Sequence, residues 1–478
     1  MSESLKKKTI KGVAWNAINT ISNRVLFFIV GIILARLLTP ADYGMITMVT
    51  VFTAVLQIFT DGGLGLALIR KQNRNENDIA TVFWYNLATC WLLYIILFFA
   101  APYIANFYDM PILTDITRIL TLNLIYSPFG NIQSTLMKAD IDFKTPAIIG
   151  TCATIIYGIV AITLAVSGYR VWSLVYCTLA QSLFITIANI ITIRWWPQSK
   201  FSISSFKELF SYSSKLLAST IIDRIYSNIS PLIIGKFYAA SKLGLYGRAQ
   251  NWVALPSITV TDIWMGVAFP TLSKLQHDKE RLTNAYRKIL RMSAYIIFPM
   301  LFLLATIADP LVRFVLTDKW ESCIILTQLL CFSAMWYPIH GINLNLLQVT
   351  GRSDLFLRLE ILKKIVGFSI LIITAPISLE MMCIGQIVSS LICLYINTYY
   401  TGKLLYLSLY KQAKDWLPIL LNCTIMAILC KSIQTLFYDN FTKLVTATII
   451  AIVYYIGTGI LFKSEELREI INIIKRRY

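Results

Sequence analysis

Fourteen runs of about twenty mostly apolar residues divide this sequence, and that is the length an α-helix needs to cross a lipid bilayer. They lie near 10–37, 42–68, 79–102, 113–136, 146–167, 171–194, 208–234, 243–269, 287–308, 323–347, 356–376, 379–401, 414–436 and 443–462. Of the 478 residues, 57% are hydrophobic and only 14% are charged, whereas a soluble protein carries about a quarter of its residues as charges. The apolar surface must therefore meet lipid, and the expected fold class is an all-α polytopic membrane protein of about fourteen helices. No loop is long enough to fold as a soluble domain.

The net charge of +18 would point to nucleic acid in a soluble protein. Here the basic residues gather in alternate loops, so nucleic acid is excluded as a partner. With the N-terminus placed inside, twenty-eight lysines and arginines fall on the inner side, including Lys6 to Lys8, Arg70, Lys71, Arg74, Lys279 and Lys411. Nine fall outside, among them Arg36, Arg170, Lys236 and Arg313. The positive-inside rule then puts both termini in the cytoplasm and favours an even number of spans. Met1 to Lys11 is polar and basic, and the run after it holds Asn16, Asn19, Asn23 and Arg24. That pattern reads as a retained first helix and not a cleaved signal peptide. Two segments, around 270–291 and 464–477, carry apolar and basic residues at helical spacing. Both are expected as amphipathic helices on the inner leaflet, or as docking surfaces for a partner.

An internal repeat appears at an offset of 200. Asn23-Arg24 aligns with Asp223-Arg224, Ala35-Arg36 with Gly235-Lys236, Ala41 with Ser241 and Gly44 with Gly244. One residue further on, Asp61 meets Asp262, Gly65 meets Gly266 and Ala67 meets Ala268. Charges and glycines are the unusual residues of apolar helices, so their coincidence predicts two pseudo-symmetric six-helix lobes with a substrate path between them. The lobes would be residues 1–200 (helices one to six) and 201–402 (helices seven to twelve). Residues 403–478 would add helices thirteen and fourteen and a cytoplasmic amphipathic tail.

Motifs of enzymatic chemistry do not occur: there is no P-loop, HExxH or GxSxG, and the chain is not read as an enzyme. The nine cysteines stand singly in apolar runs, without CxxC spacing, and read as packing residues. The two histidines, His277 and His340, are far apart, and His340 beside Pro338 reads as structural. Intramembrane charges carry more information, because each is costly in lipid unless it faces a cavity or a partner. Arg24 and Arg224 lie midway along the first and seventh runs. Asn16, Thr20 and Asn23 give the first run a polar stripe, and Asn228 lies close to Arg224. Planar guanidinium groups suit bidentate contact with phosphate oxygens. The competing account pairs Arg24 with Asp61, and Arg224 with Asp223 or Asp262, as buried salt bridges or ion-coupling groups. Lys363, Lys364 and Lys215 are weaker candidates for cavity cations.

The run ARLLTPADYGMITMVTVF, followed by TDGGLGLALIRKQNRNENDIATVFWYN, resembles the N-terminal signature of polysaccharide flippases. GYRVWSLVYCTLAQS, GKFYAASKLGLYGRAQNW and GRSDLFLRLEILKKIVG continue the likeness in the same order over nearly the whole chain. These are the lipopolysaccharide, O-antigen and colanic-acid type exporters of the multidrug/oligosaccharidyl-lipid/polysaccharide superfamily. The resemblance implies a bacterial cytoplasmic-membrane flippase working by alternating access. Its cargo would be an undecaprenyl-pyrophosphate-linked oligosaccharide, its driving force an ion gradient or membrane potential, and it would need no cofactor or metal. Partners would be the lipid-linked cargo, the bilayer and other polysaccharide-assembly proteins. In the lipid II flippases the first helix carries Ser-Arg-Val-Leu, and Asn23-Arg24-Val25-Leu26 occupies the matching place here. Their following Arg-Asp pair is replaced by Val30-Gly31, so their phosphate-binding set does not carry over whole. A multidrug or cation antiporter of the same fold would favour intramembrane carboxylates. A membrane polymerase or ligase would need a large outer loop.

The charge pattern makes a direct prediction about topology. In a cysteine-free background, single cysteines at Asp109 and Asp318 should react with an impermeant maleimide in intact cells. Cysteines at Lys279 and Lys411 should react only after permeabilisation. Labelling of position 279 in intact cells would reverse the assignment.

Overall fold

A computed structural model of the chain describes residues 22–475. Helix α1 covers 22–37. It is followed by α2 (Pro40–Asp61), α3 (Leu64–Arg70), α4 (Glu76–Phe107), α5 (Leu113–Leu120), α6 (Asn123–Tyr126), α7 (Pro128–Ala139), α8 (Lys144–Val166) and α9 (Val171–Thr192). Then come α10 (Ile203–Phe237), α11 (Ala240–Lys274), α12 (Lys279–Val315), α13 (Cys323–Ala334), α14 (Tyr337–Val349) and α15 (Ser353–Thr374). The last four are α16 (Leu379–Leu405), α17 (Leu409–Gln434), α18 (Asn440–Leu461) and α19 (Glu465–Lys475). The described residues contain no β-strand.

Ten stretches among the described residues are long and apolar enough to cross a membrane, counting α2–α3 and α13–α14 as one each. The other four expected runs also fall on helices: α1 from residue 22 on, α5 to α7, α10 and α15. Of these, α10 and α15 carry several charges each, and α5 to α7 is broken. Side chains such as Phe99 (68% exposed), Ile159 (61%) and Val453 (65%) stand outward. Water would expel such residues into a core, whereas lipid accepts them. The chain is a multi-pass membrane protein.

Two compact units divide it, one up to Gly244 and one from Leu245. Within the first, α8 packs along α9, α2 along α10, α4 against α5, and α7 against α9. Within the second, α12 is the hub for α13, α14, α17 and α18, and α16 lies against both α13 and α15.

Local chemistry sets the helix boundaries. Thr39 caps α2 reciprocally with Asp42: the Asp42 N–H donates to Thr39 Oγ1 at 3.4 Å, and the Thr39 N–H donates to Asp42 Oδ2 at 2.9 Å. Pro40 follows at the first helical position, where its missing N–H costs nothing. Asn75 and Asp78 repeat the device at α4. Gly62 and Gly63 both take positive φ (53° and 69°) and separate α2 from α3 inside one span. Two expectations need correction. The run 113–136 is three helices: α5 ends before Thr121 and Leu122, and Pro128, which has no N–H to continue α6, restarts the chain as α7. The segment 270–291 is not a separate surface helix. Instead Asp278 caps α12, whose opening turns hold the buried Leu282, Tyr286, Ile289 and Leu290.

The repeat extends to element boundaries. Helices α1 and α10 end at residues 37 and 237, and α2 and α11 begin at 40 and 240. Further on, Leu113 and Ala139 correspond to Cys323 and Val349, an offset of 210 at both ends. The aligned glycines have a physical reason. A Cβ on Gly44 would lie 1.7 Å from the Ala240 carbonyl oxygen, and one on Gly244 would lie 1.8 Å from that of Pro40. The contact maps onto itself under the 200-residue shift, which is the reciprocity an isologous two-fold contact requires. Only hydrogen fits at either position. Gly266, the partner of Gly65 in the repeat, has open space around it.

A methyl group at the crossing must therefore push backbone against backbone. Gly44→Ala should cost about 1–3 kcal/mol or more, in the range for overpacking, and lower the thermal midpoint of the detergent-purified protein. Gly266→Ala should leave that midpoint unchanged. Equal midpoints for both variants would show that the crossing is not close.

Candidate functional site

Arg24 and Arg224 occupy equivalent places on their helices, each thirteen residues before the last residue of α1 or α10. At 1.5 Å per residue that is about 20 Å along the helix from its end. Arg24 is partly buried. Its neighbour Asn23 accepts a hydrogen bond at its Oδ1 from Thr154 Oγ1 of α8, at 2.9 Å, which ties this polar level of α1 to α8. Asn16 and Thr20 lie outside the described residues, as do the side chains of Asp61 and Lys215, so the pairing of Arg24 with Asp61 is not described.

On α10 the stretch 222–225 is exposed on every side, from Ile222 (56%) through Asp223 and Arg224 to Ile225 (49%). The backbone here is modified as well. Pro231 supplies no N–H for the Ser227 carbonyl. The Arg224 carbonyl accepts from Ser227 Oγ at 3.1 Å and from Asn228 Nδ2 at 2.8 Å. Asn228 is thus a backbone partner of Arg224. Asp262, on α11, is exposed and belongs to the second unit.

The second unit holds its own buried polar groups. Lys363, only 14% exposed, is ion-paired with Glu360 one turn earlier on α15. Lys364 is partly buried. Along α16, Gln386, Ser390, Asn397 and Thr401 fall on one face of the helix. They bond in turn to Tyr246 (2.8 Å), His340 (3.1 Å), His340 again (3.2 Å) and Asn343 (2.8 Å). Asn343 also accepts from the Tyr286 hydroxyl at 2.8 Å. At the end of this column Arg287 grips the buried Asp415 with two bonds, of 2.8 and 2.6 Å. The sequence reading missed this column. Its signal was present as four polar residues at helical spacing inside an apolar run.

Charges at the expected inner side are paired across elements. Lys71 reaches Asp78 and Glu208, each at 2.9 Å. The hydrogen bond to Asp78, then that to Glu208, raises the Lys71 ammonium above its ordinary pKa. Between α12 and α19 lies a cavity of about 380 Å³. It is lined by ion pairs of Arg291 with Glu465 (3.2 Å) and of Lys288 with Glu469. These pairs clasp the amphipathic tail to α12.

Comparison with known proteins adds the following. A family model described as polysaccharide biosynthesis protein matches residues 33–325. The chain is 26% identical to the teichuronic acid biosynthesis protein TuaB of Bacillus subtilis, over 74% of this chain and 73% of that one. It is 25% identical to the lipopolysaccharide biosynthesis protein WzxC of Escherichia coli, over 75% and 74% respectively. Among solved structures, the lipid II flippase MurJ in its inward closed conformation superposes with a TM-score of 0.75 at 15% identity, covering 94% of this chain and 98% of that one. At that identity the likeness is one of fold.

A charged side chain exposed on a membrane helix is tolerated where it meets water or a partner, since lipid would not hold it unpaired, and on the reading of Arg224 as a cavity residue that place is an aqueous path. Arg224→Cys in a cysteine-free background should therefore react quickly with a charged thiol reagent in permeabilised membranes. Ile159→Cys, also exposed but on an apolar face of α8, should react slowly. Similar slow rates at both positions would place Arg224 outside any aqueous path.

Proposed function

The chain belongs to the polysaccharide biosynthesis protein family, and we propose that it flips undecaprenyl-pyrophosphate-linked oligosaccharide repeat units from the inner to the outer leaflet of the bacterial cytoplasmic membrane. One observation carries this reading: a member of a polysaccharide-building family has, over nearly its whole length, the fold of a protein that flips a lipid-linked precursor. Such a cargo has a long lipid tail that stays in the bilayer, a pyrophosphate and a polar glycan. The last two need an aqueous path with cations along it.

In this proposal Arg24 and Arg224 line the path and bind the pyrophosphate, each offering a planar fork of donors to phosphate oxygens. Their equal depth on repeated helices supports the assignment, as does the exposure of the α10 stretch. The two lobes would alternate access to the two membrane faces, with both termini cytoplasmic and an ion gradient or the membrane potential supplying the work. The protein acts on its cargo by moving it and makes or breaks no bond.

Deleting the gene should abolish one surface polysaccharide and leave its lipid-linked repeat unit on the inner face. Restoring the gene with Arg24→Ala or Arg224→Ala should give normal membrane abundance without export. Arg24→Lys should keep part of it, because a point charge still attracts phosphate. Surface glycan and protein abundance are measured side by side. Surface glycan that persists in the deletion strain would end the flippase reading. Normal export from either alanine variant would end the role of that arginine.

A further inference from the structure

Of the two histidines, His277 lies in the loop between α11 and α12, and His340 lies in the first turns of α14, inside a candidate span. Both ring nitrogens of His340 are engaged. The Ser390 hydroxyl donates its only hydrogen to the Ser333 carbonyl at 3.1 Å, so toward His340 Nε2, 3.1 Å away, it can only accept. Nε2 therefore carries the ring hydrogen. Nδ1 keeps its lone pair and accepts from the Asn397 amide at 3.2 Å. The ring is neutral in this arrangement. Asn397 is 1% exposed, and its carbonyl oxygen Oδ1 is buried without a hydrogen-bond partner.

That orphan acceptor suits a second state. A proton from water added to Nδ1 makes an imidazolium whose Nδ1–H meets the Asn397 N–H. Turning the amide by half a rotation presents Oδ1 to the new donor. Release reverses both steps, so one proton and one positive charge enter and leave, and the hydrogen bond exchanged is the one between Asn397 and Nδ1. In this conformation burial, and after it the cation Lys363 of α15, favour the neutral ring; Lys363 is ion-paired with Glu360. Both also act on the Cys393 thiol of α16. From α13 comes the Ser333 carbonyl, and from α12 the Tyr286 hydroxyl through Asn343.

The repeat supplies an internal control. Pro128 corresponds to Pro338, which aligns Gly130 with His340 and Gln133 with Asn343. The starts of α9 and α16 align Ser182 with Ser390 and Asn189 with Asn397. In the first repeat Asn189 Nδ2 donates at 3.1 Å to the carbonyl of Gly130, and a Cβ there would lie 2.8 Å from Thr186 Cα. The corresponding position thus carries a glycine in one copy and a titratable ring in the other.

We propose that His340, held between Ser390 and Asn397, is the site where the protein takes up and releases one proton per transport cycle, so that the coupling ion is H⁺. This rests on the transport reading above. The test uses the full chain in sealed vesicles containing undecaprenyl pyrophosphate as the probe lipid, with a pH dye trapped inside and valinomycin to relieve charge. An external acid pulse should acidify the lumen several-fold faster than in protein-free vesicles. His340→Gln, which keeps an N–H for Ser390 but cannot titrate, should fall to the protein-free rate. Asn397→Asp should also fall, because a carboxylate beside the ring would hold it as imidazolium. Wild-type flux in either folded variant, or no flux in the wild type, overturns the proposal. If neither variant folds, the proposal also falls, because the frame then needs the histidine for structure. The transport reading fails separately, in the deletion strain. A wild type that restores surface glycan yet moves no protons sinks only the coupling site.

Discussion

A charge or hydrogen-bonding group left in hydrocarbon has no water to fall back on, and that cost organises this protein at every scale. It makes the backbone helical throughout the spans, since only a helix satisfies its own N–H and C=O groups. It places the caps of Thr39, Asn75, Ser202, Asp278, Ser378 and Asp439 at helix starts, where the first N–H groups would otherwise be open. It also explains why the largely buried Lys363 is found with Glu360, and the buried Asp415 with Arg287. Removing Asp415 would leave a cation at a membrane edge with its carboxylate gone, so such pairs constrain the sequence even where their net stabilisation is small.

The same cost decided what could be read from the sequence. Apolar runs, alternate basic loops and glycine at 44 and 244 are one-dimensional signals, and each left a trace without knowledge of contacts. The Gly44 and Gly244 pair was legible as a coincidence; its cause, two backbones crossing at a distance that admits no methyl group, needed coordinates. Partners distant in sequence were not legible. Nothing near Asn23 announces Thr154, and nothing near Arg287 announces Asp415, because helix packing brings together residues more than a hundred positions apart. The continuity of α12 was missed for a different reason. Basic residues at helical spacing suit a surface helix and the cytoplasmic turns of a long span equally well. His340 beside Pro338 read as structural, and the partners of its ring, Ser390 and Asn397, both lie on α16, 50 and 57 positions further on. Lys363 could have been paired with Glu360 from the i, i+3 spacing alone.

Duplication fixes geometry more strictly than chemistry. Helix ends, the glycine crossing and the prolines at 128 and 338 recur because a change at any of them moves a whole helix. Side chains facing inward are free to diverge once the frame holds, and they have done so unevenly. Arginine stands thirteen residues before the helix end in both copies, while the position that is glycine in α7 is histidine in α14. A frame with like chemistry in both copies would offer cargo and ion much the same environment in each of its conformations. A ligand shifts a conformational equilibrium only by its difference in affinity between the states. Direction therefore has to come from what the repeats do not share. In the proposed cycle the arginines at 24 and 224 would hold the anion, the task common to both halves. A titratable ring present in one copy only, that of His340, would make the two halves unequal.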